Sequence, residues 1–380
     1  MAEIACRIAA KREVLVLSGS PGPLPASGPG KPAVIAVKNR MAKKAALIRR
    51  AAAEIMFALR IFLALLKRLR RGDVVLTVTA PFMLPYAVAA AAWLKGARSA
   101  LIMHDLFPDV LVMAGLLGSR SLVTRAIRLA NAWMFRQLNA VITIGRDAEP
   151  PLLRYRGMTA NKIRFIPNWA TLVPGLRPVT ADNLYRRTLS ARFVVGLSGN
   201  LGFTHDPEIV FEAARILQEE TGIHFLLSGW GMGFDRLKIL QGEAGLPNVT
   251  FVERVPDDRL EEFLAAADTW IIPYRKSVAG VSVPSRFYNL LAVGRPVILV
   301  SEQEAEAALT VAENRLGWVV TPGRPDELAR AIRTAFLQGD ASMPQRAVAA
   351  AASYHRESAM TAYVKVMEEL LDSPELTGRP

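Results

Sequence analysis

Along nearly the whole chain, apolar runs of four or five residues alternate with longer Ala- and Leu-rich stretches of helical period. In the first half the runs 14–17, 34–37, 74–78, 99–103 and 140–144 have the length and β-branched content of buried strands. In the second half 193–197, 224–227, 249–252, 269–272 and 297–300 repeat the pattern, with helical segments such as 207–218 and 326–336 between them. Strand and helix in strict alternation predict doubly wound α/β domains with parallel sheets. The proline-rich stretch 166–180 interrupts the alternation and reads as a linker. The predicted organisation is a domain over 1–170, a linker over 171–190, a second domain over 191–350, and a C-terminal helix over 351–380 packing back toward the first domain.

Two segments test this pattern. Residues 74–94 carry no charge and are long enough to suggest a membrane span. Pro81 and Pro85 divide them into a β-rich part, a turn and an Ala-rich helix, so a buried strand followed by a buried helix is the better reading. The chain also opens with a helical segment, 2–10, where a doubly wound domain would begin with a strand and a Gly-rich turn. The expectation is a first domain lacking its first strand, in a gene whose true start lies upstream. An in-frame upstream start encoding a strand would support this, and an upstream stop codon would exclude it.

Candidate chemistry gathers at the predicted carboxyl ends of strands in the second half. Ser198, Gly199, Asn200, Leu201 and Gly202 follow the strand 193–197, and Pro207 suits the first position of the next helix. Strand, glycine loop and helix start together form an anion site, although a tight turn would use the same residues. The spacing matches neither the dinucleotide fingerprint nor the Walker loop. A second glycine cluster, Ser228 to Gly233, follows the strand 224–227; it lines the same cleft or simply turns the chain. Further on, Pro284 and Ser285 suit a helix start, and Gly294 suits its end. Arg286 in the first turn of that helix opposes the helix dipole, which favours a role in meeting an anion over a solvated surface position.

Composition narrows the partners. The 380 residues are 51% hydrophobic and 21% charged, which excludes a disordered or fibrous chain. The single cysteine, Cys6, excludes a disulfide framework and a cysteine metal cluster. With no signal-peptide pattern at the start, the cytoplasm is the expected compartment. The net charge of +13 is uneven: residues 1–170 hold 26 Lys and Arg against 8 Asp and Glu, and the remainder 21 against 26. A basic half facing an acidic half calls for an anionic partner of the first domain. Nucleic acid lacks a supporting motif here and is not expected.

Gly199, Asn200, Leu201 and Gly202 with His205, then Val283 to Tyr288, Gly294 to Pro296 and Glu306, resemble glycosyltransferase family 4. The closest likeness is to the branch that builds bacterial capsule, colanic-acid and O-antigen repeat units. His104 to Asp109 is similar to that branch's His-Asp-x-x-Pro segment, and Ile166 to Trp169 to its Ile-Pro-Asn-Trp segment. The likeness covers nearly the whole chain in order. It implies a GT-B fold, two Rossmann-like domains facing across a cleft, and transfer with retention of configuration. It implies a UDP- or GDP-sugar donor as substrate, no cofactor and no metal; no Asp-x-Asp motif is present. By resemblance Gly199, Asn200, Gly202 and His205 hold the donor, Ser285 and Arg286 close on its diphosphate, and His104 is the catalytic residue beside the transferred sugar. The family's Glu-x7-Glu pair falls on Val281 and Asn289. Asn289 can still meet a ribose hydroxyl, whereas Val281 cannot replace a carboxylate. Glu302, Glu304 and Glu306 follow the next strand, and Glu306 fits the branch pattern best.

The segment 45–71 reads as one long helix, on which Arg49, Arg60, Lys67 and Arg71 fall within about 40° of one another at helical period. Ile55, Met56, Leu59, Phe62, Leu63 and Leu66 cover most of the remainder. Such a helix either lies in an anionic membrane surface or is a core helix with a solvated stripe. The expected enzyme is therefore a peripheral transferase at the inner face of the plasma membrane, extending a lipid-linked saccharide in cell-surface polysaccharide biosynthesis. The competing readings are a catalytically degenerate binder of membrane or nucleotide sugar, and a sugar-nucleotide epimerase on the same fold.

Overall fold

The computed structural model describes residues 1–19, 30–39 and 47–373. Helix α1 (Ala2–Ala9) leads to β1 (Leu15–Ser18) and β2 (Ala33–Ala36), which pair in parallel with each other and with no further strand among the described residues. Then come α2 (Leu47–Arg68), β3 (Val74–Val78), α3 (Leu84–Lys95), β4 (Arg98–Met103), α4 (Asp109–Met113), α5 (Leu122–Gln137), β5 (Ala140–Thr143), α6 (Glu149–Leu153) and β6 (Ile163–Phe165). Strands β3-β4-β5-β6 form one parallel sheet. The uncharged segment 74–94 is thus β3, a turn and α3, which stops at Gly96 in the left-handed region. No helix among the described residues is long and apolar enough to cross a membrane.

The second half runs β7 (Phe193–Asn200), α7 (Pro207–Ile216), β8 (Ile223–Trp230), α8 (Met232–Ala244), β9 (Val249–Val252), α9 (Leu260–Leu264), β10 (Thr269–Pro273), α10 (Arg286–Ala292), β11 (Val297–Val300), α11 (Glu306–Asn314), β12 (Gly317–Val320), α12 (Pro325–Gln338), α13 (Met343–Ser353) and α14 (Arg356–Asp372). Its six strands are parallel in the order β12-β11-β10-β7-β8-β9. The winding reverses between β7 and β10, so the crevice at their carboxyl ends is where such a sheet places a ligand.

Alternation along the strands explains the layers. Leu101, Met103 and Val141 meet Met134 and Phe135 of α5 and Ala89 of α3 on one face of the first sheet. Ala100, Ile102 and Ile142 meet Ile4 of α1 and Met360 and Tyr363 of α14 on the other. The last helix thus returns to the first half. Helix α2 packs on α3 through Phe57, Ile61 and Leu65.

Every predicted strand is present, and two more, β6 and β12, escape the sequence reading. They have three and four residues, too few to show alternation, and Arg164 interrupts the first. Strands β7 and β8 run three residues further than their apolar cores because Ser198, Gly199 and Asn200 pair with Ser228, Gly229 and Trp230. Helix α2 ends at Arg68, before the predicted 71, and residues 45 and 46 lie outside the described residues. Between β6 and β7 the chain has neither helix nor strand, and side chains hold it down. Asn289 Oδ1 accepts from Thr171 N at 2.7 Å, and Arg186 pairs with Asp268 at 2.7 Å.

The two halves are clasped near residue 280. Arg146 at the end of β5 donates through its backbone N–H and its guanidinium to Glu306, at 2.7 and 2.9 Å, and reaches Glu313 at 2.9 Å. Glu306 is only 3% exposed. Asp147 Oδ2 accepts from Gly280 N at 2.8 Å and from Glu306 N at 3.0 Å. Gly280 has φ 72°, and a Cβ there would lie 2.5 Å from the Asp147 carbonyl oxygen, so the closeness of the halves at this point requires glycine. Removing the buried carboxylate leaves donors unmet, but Arg146 stays partly solvated. Glu306→Ala is therefore expected to lose about 1–3 kcal/mol of stability and to raise the radius of gyration, checked by chemical denaturation and small-angle scattering.

Candidate active site

Three loops meet at the switch point. The segment after β7 is tied to the segment after β10 by Arg275 N to Thr204 O at 2.9 Å and Asp206 N to Pro273 O at 2.8 Å. His205 and Tyr274 form an isolated bridge with their rings 5.0 Å apart. From the other half, the loop after β4 joins them: Leu106 N donates to Val281 O at 3.1 Å, and Asp105 bridges Ser282. The site is therefore assembled from both halves by backbone contacts, not by side chains alone.

Arg286 organises the second half's share. Its guanidinium donates to Ser198 O and, at 2.6 Å, to Asn200 O. Gly199 lies between these carbonyls with φ 107°, and a Cβ on it would sit 2.7 Å from the guanidinium carbon. Glycine is needed there both for the backbone angle and for the approach of Arg286. Loss of solvent pulls the Arg286 pKa down to about 10. No carboxylate pairs with it among the described residues. A half-buried cation with no carboxylate paired to it can hold an anion at this position.

His205 is 8% exposed. Its Nδ1 lies 3.0 Å from Thr204 Oγ1, and its Nε2 is buried without a partner. Burial, then Arg286 and Arg275, push its pKa well below the usual histidine value, so the imidazole is neutral. A neutral imidazole leaves Nε2 either a donor or an acceptor, according to which way the proton runs between Nδ1 and the Thr204 hydroxyl.

The other predicted residues divide. Gly202 lies in the same turn with open space around it, and Ser285 is exposed at the N-cap of α10. His104, from the first half, is exposed beside the contact with residues 281 and 282. Its pKa is lowered by surrounding protein and partly restored by Asp105. Asn289 and Glu306 are engaged elsewhere: the amide of Asn289 fixes the linker at Thr171 and Leu172, and Glu306 holds Arg146. For these two the structure shows architectural contacts that the sequence did not lead one to expect. Neither was readable earlier, because both partners are distant in the chain.

Residues that the sequence reading passed over also stand here. Arg275 and Lys276 are exposed directly after β10. Tyr274 is buried beneath Arg286, and Trp230 is exposed at the end of β8 with Arg254 4.4 Å from its ring centre. Only their position at a strand end signals them, and that requires strand boundaries accurate to one residue.

On the first half's outer surface, Arg49 and Ile55, Met56, Leu59 and Leu63 of α2 are exposed. Arg60 donates to Lys38 O at 2.7 Å, Lys67 is near the helix end, and Arg71 lies beyond it. Helix α5, which the sequence reading left aside, exposes a longer apolar stripe. Leu122 is 81% and Leu129 75% exposed, with Trp133 on the same face between Arg125 and Arg136.

A family profile described as "Glycosyl transferase 4-like domain" matches residues 2–169, and one described as "Glycosyl transferases group 1" matches residues 192–337. The Pseudomonas aeruginosa protein named "Probable glycosyltransferase WbjE" is 29% identical over 289 residues, 75% of this chain and 72% of its own. The Escherichia coli (strain K12) protein named as a colanic acid biosynthesis glycosyl transferase, WcaI, is 27% identical over 290 residues, 74% of this chain and 70% of its own. Among solved structures, HepE of Anabaena in complex with UDP-glucose superposes with a TM-score of 0.68 at 17% identity, covering 98% of this chain and 95% of that one. That likeness establishes the shared GT-B fold.

His205 gives the site a pH dependence. A histidine held neutral in the fold but free to protonate when unfolded, with an ordinary value of 6.5, loses stability as pH falls below that value. Between about pH 7.5 and 5.5 the wild type is expected to lose about 1 kcal/mol from this residue. His205→Gln should lose correspondingly less, as read from thermal melts at the two pH values.

Proposed function

We propose that this chain, which belongs to glycosyltransferase family 4, transfers a sugar from a nucleoside-diphosphate sugar to a lipid-linked saccharide during cell-surface polysaccharide assembly. Arg286 is the observation that carries this reading. It is a half-buried cation without a paired carboxylate, at the strand ends where the winding reverses. A diphosphate supplies the missing charge, and the unpartnered Nε2 of His205, as its protonated tautomer, would supply one more donor. Gly199, Asn200 and Gly202 shape the turn against which it rests, and Ser285 closes the site from the start of α10.

The chemistry follows from charge. Breaking the bond between the sugar and the diphosphate moves negative charge onto the leaving phosphate oxygen. A preorganised guanidinium stabilises that charge more in the transition state than in the ground state. His104 faces this centre from the other half and contacts the transferred sugar in this proposal. A neutral imidazole can accept a hydrogen bond from a sugar hydroxyl without competing for the diphosphate. Transfer with retention of configuration and without a metal belongs to the same proposal, the cationic side chains providing what a metal would otherwise provide. The complex of HepE with UDP-glucose favours a uridine nucleotide as the first donor to test, with GDP-sugars second.

The acceptor side rests on surface character. Basic residues and exposed apolar side chains share the outer faces of α2 and α5. Helices α2, α3 and α5 lie on one face of the first sheet, so these stripes belong to one side of the molecule. Apolar side chains rimmed by arginine suit an anionic bilayer, and a membrane-docked first half would receive a lipid-linked acceptor at the inner face of the plasma membrane.

Arg286→Ala is expected to weaken binding of UDP or GDP by about 10- to 100-fold with little change in melting temperature, measured by titration calorimetry. Separately, the protein should pellet with phosphatidylglycerol vesicles at low salt, and pairing Leu129→Ser with Trp133→Ser should reduce the pelleted fraction. Equal pelleting with neutral vesicles would remove the electrostatic part of the membrane reading.

A further inference from the structure

The first half carries an arginine of its own that is braced by a strand-end carbonyl. Strands β2 and β3 are joined through the single helix α2, so they run in the same direction. Leu17, Val37 and Val75 pack against the same cluster on α2 and α3, which puts β1 and β2 in one layer with β3. Their carboxyl ends therefore share the edge whose loops, after β4 and β5, meet the second half. Just past that end of β2, Arg60 Nη1 of α2 donates to Lys38 O at 2.7 Å. One residue past β1, a Cβ on Gly19 would lie 2.8 Å from the Phe57 ring, so α2 passes close to the chain there. These two contacts set the height of the helix. Its part before Phe57, roughly 15 Å long, stands beyond the strand ends.

The corner so formed is cationic. Lys38 is exposed, and its ammonium has no partner among the described residues. The half-buried guanidinium of Arg60 gives one N–H to the carbonyl and keeps the others. Glu54, the one acid on α2, lies about 120° round the helix from Arg60. On the face of Arg60 itself, Met56 and Leu63 stand one turn before and one turn after it, both exposed, with exposed Leu59 beside them. Arg125 and Arg136 of α5 are also exposed, but no carbonyl braces either among the described residues. A fixed guanidinium beside a free ammonium suits a phosphate. Apolar side chains on the same face add nothing for a free phosphate and do so for one that carries a hydrocarbon chain.

We infer that Lys38 and Arg60 hold the phosphate of a lipid acceptor, whose chain lies along Met56, Leu59 and Leu63 of α2. The inference rests on the acceptor reading above and narrows it. Strands β2 and β4 do not pair, so the corner lies at least two strand spacings, about 10 Å, from the strand that leads to His104. The saccharide of the acceptor spans that interval. Transfer is then to a sugar already linked to the lipid phosphate, and not to the phosphate itself. Donor binding belongs to the second half and is independent of both cations.

Calorimetry on the full chain tests this with dodecyl phosphate, dodecyl maltoside (the same chain without a phosphate) and inorganic phosphate, each with and without saturating UDP. The wild type should bind dodecyl phosphate about tenfold or more tightly than either of the others, with UDP present or absent. Lys38→Gln and Arg60→Gln should each remove about tenfold of that affinity and keep UDP binding within about twofold. Lys38 is exposed, so its variant reports even where Arg60→Gln fails to fold. Unchanged dodecyl phosphate affinity in Lys38→Gln overturns the inference. Displacement of dodecyl phosphate by UDP would put it at Arg286 and equally overturns it. So does a loss of pelleting with phosphatidylglycerol vesicles at unchanged dodecyl phosphate affinity, which would assign the two cations to bilayer headgroups. A wild type that binds UDP but not dodecyl phosphate removes this site and leaves the donor reading standing; the reverse removes the donor reading alone.

Discussion

The grip of the first half on residues 280–283 is the constraint on which the remainder depends. Two loops, after β4 and after β5, hold this one segment through Leu106 N, Asp105 and Asp147, while Arg146 beside them holds Glu306. The segment leads directly into α10, whose first residue is Arg286. Any opening of the halves therefore pulls on the chain that places the guanidinium against Ser198 and Asn200. Domain closure and donor-site geometry are mechanically one property here. Backbone groups take part through Leu106 N, Gly280 N and Arg146 N, but the carboxylates of Asp147 and Glu306 accept most of the bonds, so these two side chains carry much of the contact.

Electrostatics sort the molecule in the same direction. The excess of positive charge belongs to the first half, and Arg49, Arg125 and Arg136 place part of it on the outer helices α2 and α5. Within the cleft, positive charge comes instead from the otherwise acidic second half, through Arg275, Lys276 and Arg286. Surface charge attracts a partner over a Debye length, while enclosed charge selects a ligand at contact distance. Under the proposed function, one chain would carry two anion preferences of different range.

The fold was legible because its signals are local. Strand length, β-branched content and proline at helix starts placed ten of the twelve strands, and the two omitted are short edge strands. The glycine loop was legible for the same reason, though its physical role changed. Gly199 belongs to a strand and admits an arginine, where the sequence suggested a backbone cradle for phosphate. Contacts between distant residues were not legible. Nothing local in the sequence says that Glu306 will meet Arg146, 160 residues away, or that Asn289 will hold Thr171, 118 residues away. Both are polar residues near a motif, and from spacing alone such residues look like ligand contacts. The exposed stripe on α5 was hidden differently, because periodicity identifies an apolar face and not which of two faces the core covers.

The state of Arg286 bears on why such a site can release its product. With no anion present, its guanidinium is hydrogen-bonded to two carbonyls and is not left bare. A bare buried guanidinium would bind a diphosphate too tightly for turnover, since each unmet donor adds to the gain on binding. The carbonyls lower that gain while keeping the positive charge in place. In the proposed transfer, charge on the leaving oxygen grows from substrate through transition state to product, so a guanidinium already bonded to two carbonyls still lowers the barrier while holding the product less tightly than a bare one would.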